Sequence, residues 1–156
     1  MLDWVTVPDP TLHPDYEFSA DPARLDAARV HALLAEHAYW AAGRTREVQD
    51  RALAGSRSYG VYLRATGDLV AYARLVTDTV TFAWLADVIV DPAHRGRGLG
   101  TAVVTGAIAD VEPLGLRRLL LKASDEGKGV YARLGFELVD EPDRWMQWRP
   151  VPRHLP

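Results

Sequence analysis

Apolar and polar positions along this chain change rhythm near residue 56. Before it the spacing is helical. Leu25, Ala28 and Ala32 fall on one stripe, and Val30, Leu33, Leu34 and His37 on another, which predicts a helix ending near His37. Asp21 then Pro22 reads as its start, because proline at the first helical position needs no amide and presets φ. Thr45 is placed to cap a second helix that ends near Gly55. Beyond it the chain turns β-branched and aromatic in "SYGVYLRAT" (58–66), "LVAYARLVT" (69–77) and "VTFAWLADVIV" (80–90). The linkers "TGD" and "DT" are short, so these strands should pair as antiparallel hairpins. Upstream, "YEFSA" (16–20) predicts a short strand, and the proline-rich residues 1–15 an irregular arm.

Helical spacing returns from Gly98 to about Val111, with Leu99, Val103, Ala107 and Val111 on one stripe. "LRRLLLKA" (116–123) reads as a strand, 126–134 as a short helix closed by Gly135, and "FELVD" and "RWMQWR" as a closing pair of strands. The order β-α-α-β-β-β-α-β-α-β-β predicts one α/β domain of α+β mixed-sheet type over residues 1–156. Its sheet is mostly antiparallel with one parallel β-α-β crossover, and helices cover both faces. The crossover sets "WLADVIV" beside or close to "LRRLLLK".

Composition mainly removes alternatives. A chain of 156 residues, 48% hydrophobic and 25% charged, can bury one core. It has no cysteine, which excludes disulfides and a cysteine nucleophile. Its histidines show no metal-ligand spacing, so no metal is expected. A net charge of −3 gives no basic field for nucleic acid. The start "MLDWVTVPDP" is acidic and broken by proline, unlike a signal peptide, and no apolar run is long enough for a bilayer. The expectation is a soluble cytoplasmic protein without membrane or nucleic-acid partners.

The informative stretch is "DPAHRGRGLGTAVV" (91–104). Gly96, Gly98 and Gly100 free the backbone and remove Cβ atoms. The amides of Arg97, Gly98, Leu99, Gly100 and Thr101 open a helix, where unpaired N–H groups and the helix dipole favour an anion. Arg95 and Arg97 add charge. A tight turn with solvated arginines is the plain alternative, but it needs only one glycine. The dinucleotide fingerprint fails because Thr101 stands where glycine is required, and no Lys-Ser/Thr follows to make a P-loop.

"VIVDPAHRGRGLGTAVV" resembles motif A of the GCN5-related N-acetyltransferases (GNAT), whose loop holds the pyrophosphate of acetyl-CoA. "GVYARLGFE" (129–137) resembles that family's later Tyr-x-x-x-Gly-Phe signature, and the element order is also the family's. The likeness spans about residues 16–148. "AYWAAGRTREVQDRALAGSRSYGVYL" with "YARLVTDTVTFAWLADVIV" resembles one bacterial subgroup.

The resemblance implies roles. The backbone of Val88, Ile89 and Val90 matches the strand that pairs with the pantetheine arm and offers an amide to the carbonyl oxygen. Tyr131 matches the general acid that protonates the departing thiolate, against a packing role as a core aromatic. Asp87, an acid inside an apolar strand, is either a base whose pKa burial raises or the partner of Arg74 on the next strand. Asp125 and Glu126 read as caps of the last helix or as groups that orient substrate, and Ser124 as a third cap or a second donor; "KASDEGKG" departs from the asparagine common there. His94 reads as an exposed loop residue or a phosphate contact, and Lys122, Lys128 and Arg133 as surface charge or 3′-phosphate partners. Tyr39, Trp40, Tyr72, Trp84 and Trp145 are candidates for an aromatic acceptor pocket suited to an apolar or cationic amine. The expected activity is direct acetyl transfer from acetyl-CoA to a small-molecule or peptide amine. The competing reading is a coenzyme-A-binding sensor or scaffold with little catalysis. A homodimer through the C-terminal strands is possible.

Overall fold

In the computed structural model, which describes residues 11–150, five strands form one sheet in the order β1-β2-β3-β4-β5. They are β1 (Tyr16–Ser19), β2 (Arg57–Leu63), β3 (Leu69–Thr77), β4 (Phe82–Val90) and β5 (Arg118–Leu121). The first four pair antiparallel, and β4 pairs parallel with β5. The helices are α1 (Ala27–His37), α2 (Arg46–Ala54), α3 (Leu99–Val111) and α4 (Lys128–Arg133). This is the mixed α/β sheet with one β-α-β crossover that the hydrophobic pattern predicts.

Two cores sandwich the sheet. Phe18, Tyr59, Val61, Ala73, Leu75 and Leu85 pack on α3 through Leu99, Val103, Val104 and Ala107. On the opposite face Val30, Leu33 and Leu34 of α1 pack on Tyr62, Leu69, Tyr72 and Ile89. Gly106 decides how closely α3 can lie, because a Cβ there would come within 2.1 Å of the Phe18 ring. Arg57 of β2 grips Asp110 of α3 with two hydrogen bonds at 2.8 and 2.9 Å, and the Tyr59 hydroxyl donates to the same carboxylate at 2.6 Å.

Three expectations need correction. Asp21 caps a short 3-10 turn (Pro22–Arg24), and Asp26 caps α1 by accepting from the Arg29 amide. "FELVD" and "RWMQWR" form no strands. Leu138, Met146 and Trp148 instead stand exposed, so alternation alone gave the pattern without a partner to pair with. The expected cap for the last helix is not Asp125 or Glu126. Gly127 is the N-cap and no side chain caps the helix; Ser124 Oγ accepts from the Gly127 amide one turn earlier, while Asp125 is exposed and pairs with Lys128 at 3.4 Å. Residues 1–10 of the expected arm lie outside the described residues.

Candidate active site

The β4–β5 pairing runs only from Phe82↔Arg118 to Leu85↔Leu121. Beyond Leu85 that edge of β4 has no partner strand among the described residues. A bulge begins there. Tyr72 faces Ile89 and Arg74 faces Ala86, so Ala73 alone spans both Asp87 and Val88. Asp87 has φ +55, a left-handed conformation uncommon for a residue with a side chain. The extra residue reverses the alternation. Ala83 and Leu85 face the α3 core before it, and Val88 and Val90 pack against that core after it. Ile89 therefore joins the α1 core, and the strand leaves its neighbour with peptide groups uncovered.

A groove of about 920 Å³ follows this edge, lined by Val88, Ile89, Val90, Arg95, Gly96, Gly100, Ser124, Gly127 and Tyr131 among others. Of the loop, Arg95, Gly96 and Gly100 line this groove. Gly96 and Gly98 both have φ +74, a conformation that costs other residues strain, and Gly98 caps α3. Gly100 has an ordinary backbone, and a Cβ there would meet only Val90 at 3.5 Å. The side chain of Leu99 is buried in the α3 core, so only its backbone can serve the loop. Asp91 braces the strand-to-loop junction. It accepts from the Ala93 amide and pairs with Arg29 of α1, and although burial opposes ionisation, these contacts hold its pKa below the usual carboxylate range.

Arg97 does not reach freely into the groove. Its Nη1 donates to the Tyr16 hydroxyl at 2.7 Å, and that hydroxyl shares a 2.9 Å hydrogen bond with His94 Nδ1. His94 is thus a tethered residue rather than a loose phosphate contact. Arg95, whose Nε donates to the Val90 carbonyl at 3.4 Å, is the loop arginine that lines the groove.

A second cavity, of about 340 Å³, adjoins the groove and shares Tyr39, Trp40, Val88, Ser124 and Tyr131 with it. Trp84 and Lys122 also line it. Tyr39 and Trp40 meet edge to face at 5.2 Å. Two aromatic candidates fall away. Tyr72 is fully buried in the α1 core, its hydroxyl bonded to Ser58. Trp145 lies under the Arg118 guanidinium and donates to the Asp140 carbonyl, apart from the cavity lining.

Tyr131 stands where the two spaces meet. Its ring packs edge to face on Phe136 at 5.8 Å. Burial alone raises its pKa, and no hydrogen bond holds its hydroxyl among the described residues. Asp87 is the reverse case. Arg44 Nη1 donates to it at 2.7 Å, Arg74 Nε at 2.6 Å and Trp40 Nε1 at 3.1 Å. Burial pushes its pKa up, but the two guanidinium groups win and the net shift is downward. The elevated proton affinity expected from burial is therefore corrected, and the Arg74 pair is formed.

Sequence reasoning missed Arg44. It lies between Gly43 and the Thr45 cap, where an arginine reads as solvated, and only the tertiary fold carries it to β4.

A profile of the acetyltransferase (GNAT) family matches residues 14–136. The chain belongs to the GNAT family. A solved GNAT-family structure from Xanthomonas campestris is 37% identical, covering 89% of this chain and 95% of its own at a TM-score of 0.80. Serotonin N-acetyltransferase 2 of rice is 38% identical over 53% of this chain and 41% of its own length. The Mycobacterium tuberculosis protein Rv2747, solved with CoA, shares the fold at 20% identity and a TM-score of 0.63, over 79% of this chain and 72% of its own. This GNAT chain spans less than two thirds of the length of the curated relatives it matches first. They include fungal and plant proteins, so the likeness is not confined to one bacterial subgroup.

Proposed function

We propose that this GNAT protein moves the acetyl group of acetyl-CoA directly to a primary amine of a small molecule or peptide. The observation that carries the reading is the junction at Tyr131. An anion-binding loop, an uncovered strand edge and an unpaired phenol converge on a boundary between a long groove and a compact cavity. The loop from Arg95 to Thr101 takes the pyrophosphate on its backbone amides. The uncovered edge from Val88 to Val90 takes the pantetheine arm as an added strand, and one of its amides faces the developing oxyanion.

The amine enters through the smaller cavity and attacks the thioester carbonyl carbon. A C–N bond forms and the tetrahedral intermediate collapses with loss of the C–S bond. Tyr131 donates its proton to the departing thiolate, and the proton shed by the amine nitrogen returns through water to the phenolate. A phenol is protonated at neutral pH, and burial raises the pKa of this one further. Asp87, held anionic by two arginines, serves as the fixed anchor of the cavity wall rather than the base.

Acetyl-CoA should raise the melting temperature where NAD does not, and mixtures of acetyl-CoA with amines should release thiol in an amine-dependent way. Stabilisation by NAD instead would refute the loop assignment. Stabilisation by acetyl-CoA without any amine-dependent thiol release would favour the sensor reading.

A further inference from the structure

The acceptor cavity holds more positive charge than its one carboxylate balances. Its charged lining residues are Arg44, Arg74, Lys122 and Asp87. Both oxygens of Asp87 are already shared, Oδ2 between Arg44 Nη1 and Arg74 Nε, and Oδ1 between Arg44 Nη2 and Trp40 Nε1. The arginines are not fully spent. Arg74 uses Nε on Asp87 and Nη1 on Ser56 Oγ at 3.1 Å, which leaves its Nη2 without a partner among the described residues. Arg44 uses Nη1 on Gln49 and Asp87, which leaves its Nε. Both side chains are mostly buried, and both line the cavity. Lys122 adds a further cation at the rim.

A second cation on the acceptor would face this surplus with nothing to pair it. A carboxylate or phosphate fits, because the free edge of a guanidinium offers planar donors to both and charge-assisted bonds are the strong ones. The aromatic walls of Tyr39, Trp40 and Trp84 then hold the acceptor's carbon skeleton. We infer that the acceptor is an amine bearing an anionic group, which docks on the free guanidinium edges of Arg74 and Arg44 beside Lys122. This rests on the acetyl-transfer reading and replaces the apolar or cationic amine that the aromatic residues alone implied.

The test compares matched amines, β-alanine against β-alaninamide and 2-aminoethyl phosphate against ethanolamine, by kcat/KM at saturating acetyl-CoA. Rates are referred to the concentration of unprotonated amine, since the anionic group also changes amine basicity. At least one anionic member should be preferred about tenfold or more, because a site built around donors rejects the analogue that leaves them unpaired. The pair showing the larger gap distinguishes carboxylate from phosphate. Lys122→Glu, on an exposed residue that does not touch Asp87, should narrow the gap by raising KM for the anionic amine more than for its neutral partner, and Arg74→Gln should narrow it further. Neutral amines used as well as their anionic partners would overturn the inference. So would a gap that Lys122→Glu and every folded Arg74→Gln preparation leave unchanged. Failure of acetyl transfer itself reads differently, as no thermal shift with acetyl-CoA and no amine of either kind consumed. If the coenzyme binds and none of these amines is turned over, calorimetry of N-acetyl-β-alanine against its amide on the coenzyme-A-bound protein decides by the same preference.

Discussion

Two titratable residues line the smaller cavity with opposite shifts. Tyr131 is raised by burial alone, so its phenol stays protonated beyond the ordinary tyrosine range. The acid role therefore predicts a kcat that does not fall from Tyr131 ionisation until pH rises above about 10. A loss of kcat with a midpoint near pH 8 that Tyr131→Phe abolishes would contradict it. Asp87 lies below its unfolded value despite burial. A depressed carboxylate contributes stability at pH above about 3.9, its unfolded value, and that stability is lost as pH falls through the folded value. Asp91 is shifted the same way. Thermal melts from pH 7 to pH 3 should show a falling melting temperature at the acid end, and Asp87→Asn should be less stable at pH 7 with a flatter acid limb. Equal pH slopes in the two proteins would show that Asp87 is not held as described. Of this cluster only the Asp87–Arg74 pair was legible in the sequence, because each is a lone charge in an apolar strand and the hairpin makes them neighbours. Arg44 and Trp40 arrive from a helix connection, and no local spacing records which strand such a connection will touch.

The loop before α3 shows what element-scale reading does well and where it stops. Its glycines, its arginines and the helix behind them read as an anion-binding loop, and Arg95, Gly96 and Gly100 of it line the groove. The chain could not show that Arg97 turns back to Tyr16, since that residue of β1 lies 81 positions away in sequence. The β4 bulge was equally hidden. "WLADVIV" looks like a continuous strand, and only the register against β3 shows that its faces exchange at Asp87. The closing strands failed for the converse reason, a strand-like pattern without an edge paired to it. Gly100 offers a clean test at this scale. Its backbone is ordinary and a Cβ would meet only Val90 at 3.5 Å, so Gly100→Ala should leave the free protein's melting temperature nearly unchanged. Binding of acetyl-CoA, measured by calorimetry, should weaken about tenfold or more, because the methyl group stands where the loop must approach its ligand. Undiminished affinity would move the pyrophosphate elsewhere. Gly106→Ala makes the opposite prediction. The added methyl overlaps the Phe18 ring, which should destabilise the fold by about 1–3 kcal/mol in denaturant titrations, with coenzyme affinity kept in the folded fraction.

For the whole molecule, the sheet divides the work between its faces. One core fixes α3 and therefore the loop, through Gly106 against Phe18 and Asp110 against Arg57 and Tyr59. The other fixes α1 and the connection that carries Tyr39, Trp40 and Arg44 to the smaller cavity. Between them the parted edges of β4 and β5 leave the groove, and Tyr131 closes it from α4. On the proposed acetyl-transfer reading, coenzyme and acceptor approach from different layers and meet at one phenol. The most direct measurement is steady-state acetyl transfer by wild type and Tyr131→Phe, with acetyl-CoA affinity of each taken from calorimetry. The account predicts amine-dependent thiol release by the wild type, a fall in kcat of about a hundredfold or more in Tyr131→Phe, and near-equal coenzyme affinity. A Tyr131→Phe enzyme as fast as wild type would contradict it.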